Sequence, residues 1–131
     1  MGFDQYHEPP EELPAKVRTF ARLCASLTEE AEAIGWYEQR LAVEQDPEAR
    51  AVMTDAMGEE YKHFSMDLEV LLRRTPRWRE IARGVLFQEG DIVEHGEAAE
   101  AAAGDEGGDS AGLSGGSTAG GSLGIGSLRS A

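Results

Sequence analysis

The stretch LCASLTEEAEAIGWYEQRL, residues 23–41, decides the fold. Leu23, Leu27, Glu30, Ile34, Tyr37 and Leu41 recur at spacings of four and three, which sets all six on one face of a helix. Apolar side chains hold that face everywhere except at Glu30, where a carboxylate points into the core. A second stripe, Met53, Met57, Glu60, Phe64, Leu68 and Leu71, repeats the interruption, with His63 one turn beyond Glu60. Burying an unpaired carboxylate costs several kcal/mol or forces it to protonate, so a chain that does so twice calls for a cation between the two stripes.

Working outward, punctuation residues bound the helices. Pro9, Pro10 and Pro14 make residues 1–13 an irregular lead-in, with Pro14 in the first turn of a helix over about 15–45. Asp46-Pro47 reads as an N-cap followed by proline at the first helical position, with Glu48 favourable near the positive helix end, and starts a helix over 47–74. Thr75-Pro76 repeats the signal for a shorter third helix to about residue 88, with Trp78, Ile81, Ala82, Val85 and Leu86 as its apolar face and Gly90 as its stop. The link between the first two helices is short enough to require an antiparallel hairpin. Gly35 and Gly58 each weaken a helix interior by about 1 kcal/mol relative to Ala.

Composition narrows the possibilities. Ten of the sixteen glycines lie between Gly104 and Gly126, so only about the first 90 residues can form a packed core. The chain divides into an irregular segment 1–13, a helical domain 14–95, a flexible glycine-rich acidic linker 96–121 and a distinct end, 122–131. That end places Leu123, Ile125 and Leu128 on a solvated tether, the pattern of a short peptide that docks into a groove on another protein. The net charge of −13 is shared between the body and the tail: residues 1–88 hold 17 acidic and 11 basic residues, and residues 89–131 hold 8 and 1. That balance argues against nucleic acid and anionic membranes as partners and suits cations. A lone Cys24 excludes an intrachain disulfide and reads as a small filler, compatible with a reducing cytosol. No leader or membrane span is expected, so the protein is read as cytoplasmic.

Depth along the hairpin aligns the three polar residues. Glu30 lies 16 residues before Asp46, and Glu60 and His63 lie 14 and 17 after it. At about 1.5 Å per residue these are roughly 24, 21 and 25 Å from the turn. Two carboxylates and an imidazole without a thiolate favour iron, manganese or zinc, and the bundle setting favours iron. A ferritin-like di-iron bundle uses two helices that each give a Glu and two that each give Glu-x-x-His. This chain has one helix of each kind. The expected fold is therefore all-α: an antiparallel two-helix hairpin plus a short third helix, completing a ferritin-like four-helix bundle only on dimerisation, with a disordered C-terminal tail.

The run Glu29-Glu30-Ala31-Glu32-Ala33-Ile34-Gly35-Trp36-Tyr37-Glu38-Gln39-Arg40, followed by Asp46-Pro47-Glu48 and Glu59-Glu60-Tyr61-Lys62-His63, resembles the encapsulated ferritins. Ser122-Leu123-Gly124-Ile125-Gly126-Ser127-Leu128 is similar to the peptide that loads cargo into encapsulin shells. The resemblance covers about residues 7–95 and the tail end. It implies that Glu30, Glu60 and His63 ligate iron in a ferroxidase centre at the dimer interface, with Tyr37 beside it. It further implies an acidic site on the iron path at Glu29 and Glu32, near Trp36. It implies a ring of dimers, a decamer, that oxidises Fe(II) with dioxygen and depends on an encapsulin shell to store the mineral.

Other readings stand beside these. A non-catalytic cargo or adaptor bundle could hold a structural zinc and dock through its tail. A di-iron oxygenase would need an access pocket that a small symmetric bundle hardly offers. Glu29 and Glu32 otherwise form a solvated helix face, and Trp36 and Tyr37 otherwise serve as core or interface aromatics. His7 and His95 fall in flanks expected to be poorly ordered and are read as unliganded.

Overall fold

The computed structural model of the chain describes residues 5–104. Helix α1 spans Ala15–Val43, α2 Pro47–Arg74, α3 Pro76–Val85 and α4 Ile92–Ala103, after a short 3-10 turn at Pro10–Glu12; among the described residues there is no strand. α1 packs along α2, α2 meets α3 at its end, and α3 packs on α4.

The hairpin turn is held by side chains that satisfy the exposed helix ends. Glu44 Oε1 accepts from the amides of Gln45 and Asp46 at 3.0 and 2.9 Å, and Asp46 Oδ2 accepts from Ala49 N at 2.8 Å, the expected N-cap. Arg50, in the first turn of α2, donates from Nη1 to the carbonyls of Leu41 and Glu44 at the end of α1. Thus the last carbonyls of one helix are tied to the first turn of the next. Pro14 precedes α1 rather than joining it, and its carbonyl accepts from Val17 and Arg18.

Beyond the hairpin the structure differs from the sequence reading in three places. Thr75 makes no side-chain cap; it closes α2 and opens α3 in one residue, so the two helices meet without a linker. α3 stops at Val85, short of 88, and the chain reverses through Leu86 in extended geometry, Phe87 at φ +61° and Gly90 at φ +101°. Gly90 therefore serves the reversal and does not end α3. Residues 96–103, read as the start of a flexible linker, continue a fourth helix. Asp91 caps that helix by accepting from Glu94 N at 2.9 Å, and His95 within it sets Nε2 2.6 Å from the Glu89 carbonyl, so this flank is structured. Gly84 makes the packing of α3 on α4 possible: a Cβ there would stand 2.5 Å from Ala99 Cβ.

Residues 1–4 and 105–131, which include most of the expected linker and the whole 122–131 peptide with Leu123, Gly124, Ile125, Gly126, Ser127 and Leu128, lie outside the described residues.

The core is thin. Among the described residues only Ala25, Leu71 and Leu72 are buried, while Trp36, Tyr61, Met66 and Phe87 are exposed. Two helices of nearly thirty residues each bury one stripe against the other and leave the remaining apolar surface uncovered.

Candidate metal centre

Glu30 stands midway along α1; Glu60 and His63 stand one turn apart on α2. The hairpin brings a ligand atom from each of the three within 4.8 Å of the others. The depth match expected from the spacing from Asp46 is met. All three side chains are half-buried; His63 retains 43 % of its side-chain exposure and Glu60 24 %. His63 Nδ1 faces Glu60 Oε2 at 3.9 Å, a separation that leaves room for an ion.

The neighbouring charges leave that pair to each other. Glu59 also approaches His63, Oε2 to Nε2 at 3.9 Å, but Lys62 Nζ lies 2.5 Å from the same carboxylate. The hydrogen bond from Lys62, followed by its charge, lowers the Glu59 pKa and keeps that carboxylate ionised on the lysine.

Glu30 is the strained group. Burial, then the carboxyl of Asp67 within hydrogen-bonding reach, then the charges of Asp67, Glu60 and Glu29, push its pKa up to about 7. Among the described residues its Oε2 is sealed from solvent with no hydrogen-bond partner, and Asp67 Oδ2 is in the same condition. Two facing carboxylates cannot donate to each other, so the contact needs a proton or a cation. An orphaned buried carboxylate oxygen beside a second carboxylate and an imidazole fits the donor set of a divalent transition metal.

The remaining sequence-derived residues are placed as follows. Tyr37 is half-buried two turns beyond Glu30, with the Arg40 guanidinium 5.3 Å from its ring centroid. Glu29 and Glu32 are exposed, and Trp36 is half exposed. His7 is exposed, and His95 sits apart on α4, bonded to a carbonyl. Asp67 is not among the residues that the apolar stripes single out. It lies seven residues after Glu60 and four after His63, a periodicity that could have found it.

A long helix giving one inward Glu, packed antiparallel to a helix giving Glu-x-x-His, is half of a ferritin-like carboxylate bundle. Residues 5–89 match the EncFtn-like family, and the chain belongs to that family. It is 43 % identical over 123 residues to an encapsulated ferritin-like protein of Rhodospirillum rubrum, covering 94 % of this chain and 86 % of that relative. It is 42 % identical over 106 residues to a ferritin-like protein of Thermotoga maritima, covering 81 % and 93 %. A crystal structure of a protein from Nitrosomonas europaea superposes with a TM-score of 0.66 at 35 % identity, covering 68 % of this chain and 98 % of that one. The encapsulated-ferritin resemblance and the all-helical ferritin-like fold therefore both hold. No helix among the described residues is long and apolar enough to cross a membrane.

Proposed function

We propose that the chain is a ferroxidase whose substrate is Fe(II) and whose electron acceptor is dioxygen, acting at a di-iron centre shared between two subunits. Ferric iron would then pass to mineral storage inside an encapsulin shell. The observation that carries this reading is the convergence of Glu30 with Glu60 and His63 from separate helices. Family membership supports an iron-related role.

In this reading Glu30 and Glu60 offset the charge of bound iron, and His63 adds a nitrogen donor; iron supplies the electrons when bound. Glu30 gives up its proton on binding, and its raised pKa places that loss near neutrality. A two-fold partner supplies the second Glu30, Glu60 and His63. Support for that partner comes from the half-open centre and from a core in which, among the described residues, only three are buried. Tyr37 takes the place beside the centre. Glu29 and Glu32, exposed and flanking Glu30 near Trp36, form the acidic path by which iron reaches it. Dimers assemble into a ring, a decamer, and Leu123 to Leu128 dock on the shell.

Anaerobic loading with Fe(II) followed by oxygen tests the activity. The ferric absorbance should rise rapidly in the full-length protein and be lost in Glu30→Ala and His63→Ala; wild-type rates in either variant contradict the assignment. Deletion of residues 122–131 should abolish co-purification with a shell protein and leave oxidation intact.

The thin core favours one other reading, a non-catalytic adaptor in which the ion contributes folding free energy. Zinc retained through aerobic purification, without iron oxidation, would establish it.

A further inference from the structure

The His63 ring has a carboxylate at each of its two nitrogens. Nδ1 faces Glu60 Oε2 at 3.9 Å, and Nε2 faces Glu59 Oε2, also at 3.9 Å. The run Glu59-Glu60-Tyr61-Lys62-His63 produces this arrangement, because residues three and four before His63 lie one turn back on the same side of α2. The two carboxylates are not equivalent. Glu60 belongs with Glu30 and His63 to the group whose donor atoms lie within 4.8 Å of one another, and Glu59 does not. Glu59 is instead tethered by Lys62, whose Nζ stands 2.5 Å from the same Oε2 that faces the imidazole. Apart from Glu30 and these two glutamates, His63 meets no other polar partner among the described residues.

A neutral imidazole has one nitrogen free to ligate and one that carries a hydrogen. Metal-ligating histidines give that hydrogen to a carboxylate, a carbonyl or water, which fixes both the tautomer and the direction of the ring. We propose that Glu59 is the positioning residue of the centre: it accepts from Nε2–H of His63 and so presents Nδ1 to the ion beside Glu60 and Glu30, while Lys62 holds Glu59 in place. The proposal rests on the reading of Glu30, Glu60 and His63 as a metal centre. A separation of 3.9 Å is longer than a hydrogen bond, as such contacts often are before the ligand arrives. With 52 % and 43 % of their side-chain surfaces exposed, Glu59 and His63 are free to close the gap by rotation. A carboxylate offers about four lone pairs, so Glu59 serves Lys62 and His63 together. An exposed Lys–Glu pair contributes little to stability, which leaves Glu59 replaceable without unfolding the helix.

The test combines Co(II) titration with pulsed electron paramagnetic resonance of the Cu(II)-loaded full-length protein. Glu59→Ala removes the acceptor, whereas Glu59→Gln keeps an acceptor oxygen and loses only the charge. Both replacements are good helix formers at an exposed helical position, so both variants fold. Glu59→Ala should weaken Co(II) binding by about 10–100-fold, and Glu59→Gln should recover most of that loss. The signal of the imidazole nitrogen remote from Cu(II) reports its hydrogen bonding; it should shift in Glu59→Ala and return in Glu59→Gln. Equal weakening in the two variants with that signal unmoved overturns the role, since Glu59 then acts only as a charge near the ion. Wild-type affinity and an unmoved signal in Glu59→Ala overturn it while leaving the centre standing. His63→Ala should lose the imidazole signal. If His63→Ala keeps it, or the wild type shows none, the reading of the centre falls and the role of Glu59 with it.

Discussion

Glu30 on α1 and His63 on α2 reach within 4.8 Å of each other across the hairpin, although each lies about sixteen residues from its turn. That meeting depends on the turn being rigid and on both helices being continuous. A slip of one residue at Glu44–Asp46 would rotate one ligand by about 100° away from the other. The chemistry of the site is therefore tied to the caps at the far end of the helix pair.

The metal-free protein should lose stability as pH rises through 7. The Glu30 pKa is raised from 4.5 to about 7, so the folded state binds this proton more tightly than the unfolded state. Its contribution is full below about 4.5 and lost as pH passes 7. Melting of chelator-treated protein at pH 5.5 and 8 checks this: the wild type should fall further between the two than Glu30→Gln. Metal affinity should move the opposite way and weaken below pH 7, because the ion competes with that proton.

Arg50→Met should loosen the hairpin turn. It removes the donor that ties Leu41 and Glu44 carbonyls to the first turn of α2. The expected cost is about 1 kcal/mol in chemical denaturation, from hydrogen bonds at an exposed position. Fe(II) oxidation should slow as well if the turn sets the register of the site.

Gly35→Ala and Gly58→Ala should each stabilise the protein by about 1 kcal/mol. Both glycines are helical, and a Cβ at either meets nothing within 4 Å. Urea midpoints of the two variants and their double mutant check the gain and its additivity.

Gly84→Val should separate α3 from α4. Even a methyl group there would stand 2.5 Å from Ala99 Cβ, so the helices must move apart. The expected penalty is about 1–3 kcal/mol. Faster proteolysis within residues 86–91, with the α1–α2 hairpin still helical by circular dichroism, is the outcome to look for.

The hairpin was legible because its evidence is local and periodic. The stripes through Leu23–Leu41 and Met53–Leu71, with Asp46-Pro47 between them, define both helices and their facing sides. Glu30, Glu60 and His63 followed because polar residues in an apolar stripe stand out. Asp67 did not, since it falls beside Leu68, which the stripe had already claimed. α4 was missed for the opposite reason. Residues 92–103 are mostly alanine and glutamate with no apolar stripe, and composition there resembles the glycine-rich stretch that follows. Its signal was Asp91 with Glu94 three residues on, a capping pattern that composition obscured. The reversal through Phe87, at φ +61°, carries no local signal, because the left-handed region is uncommon for a phenylalanine.

The central claim is that one chain carries half of a metal centre and a second copy completes it. Native mass spectrometry of the full-length protein after anaerobic Fe(II) loading tests this most directly. Iron should be retained only by species with an even number of subunits, and Glu30→Ala and His63→Ala should abolish retention. A monomer that holds iron as firmly as the dimer would contradict it.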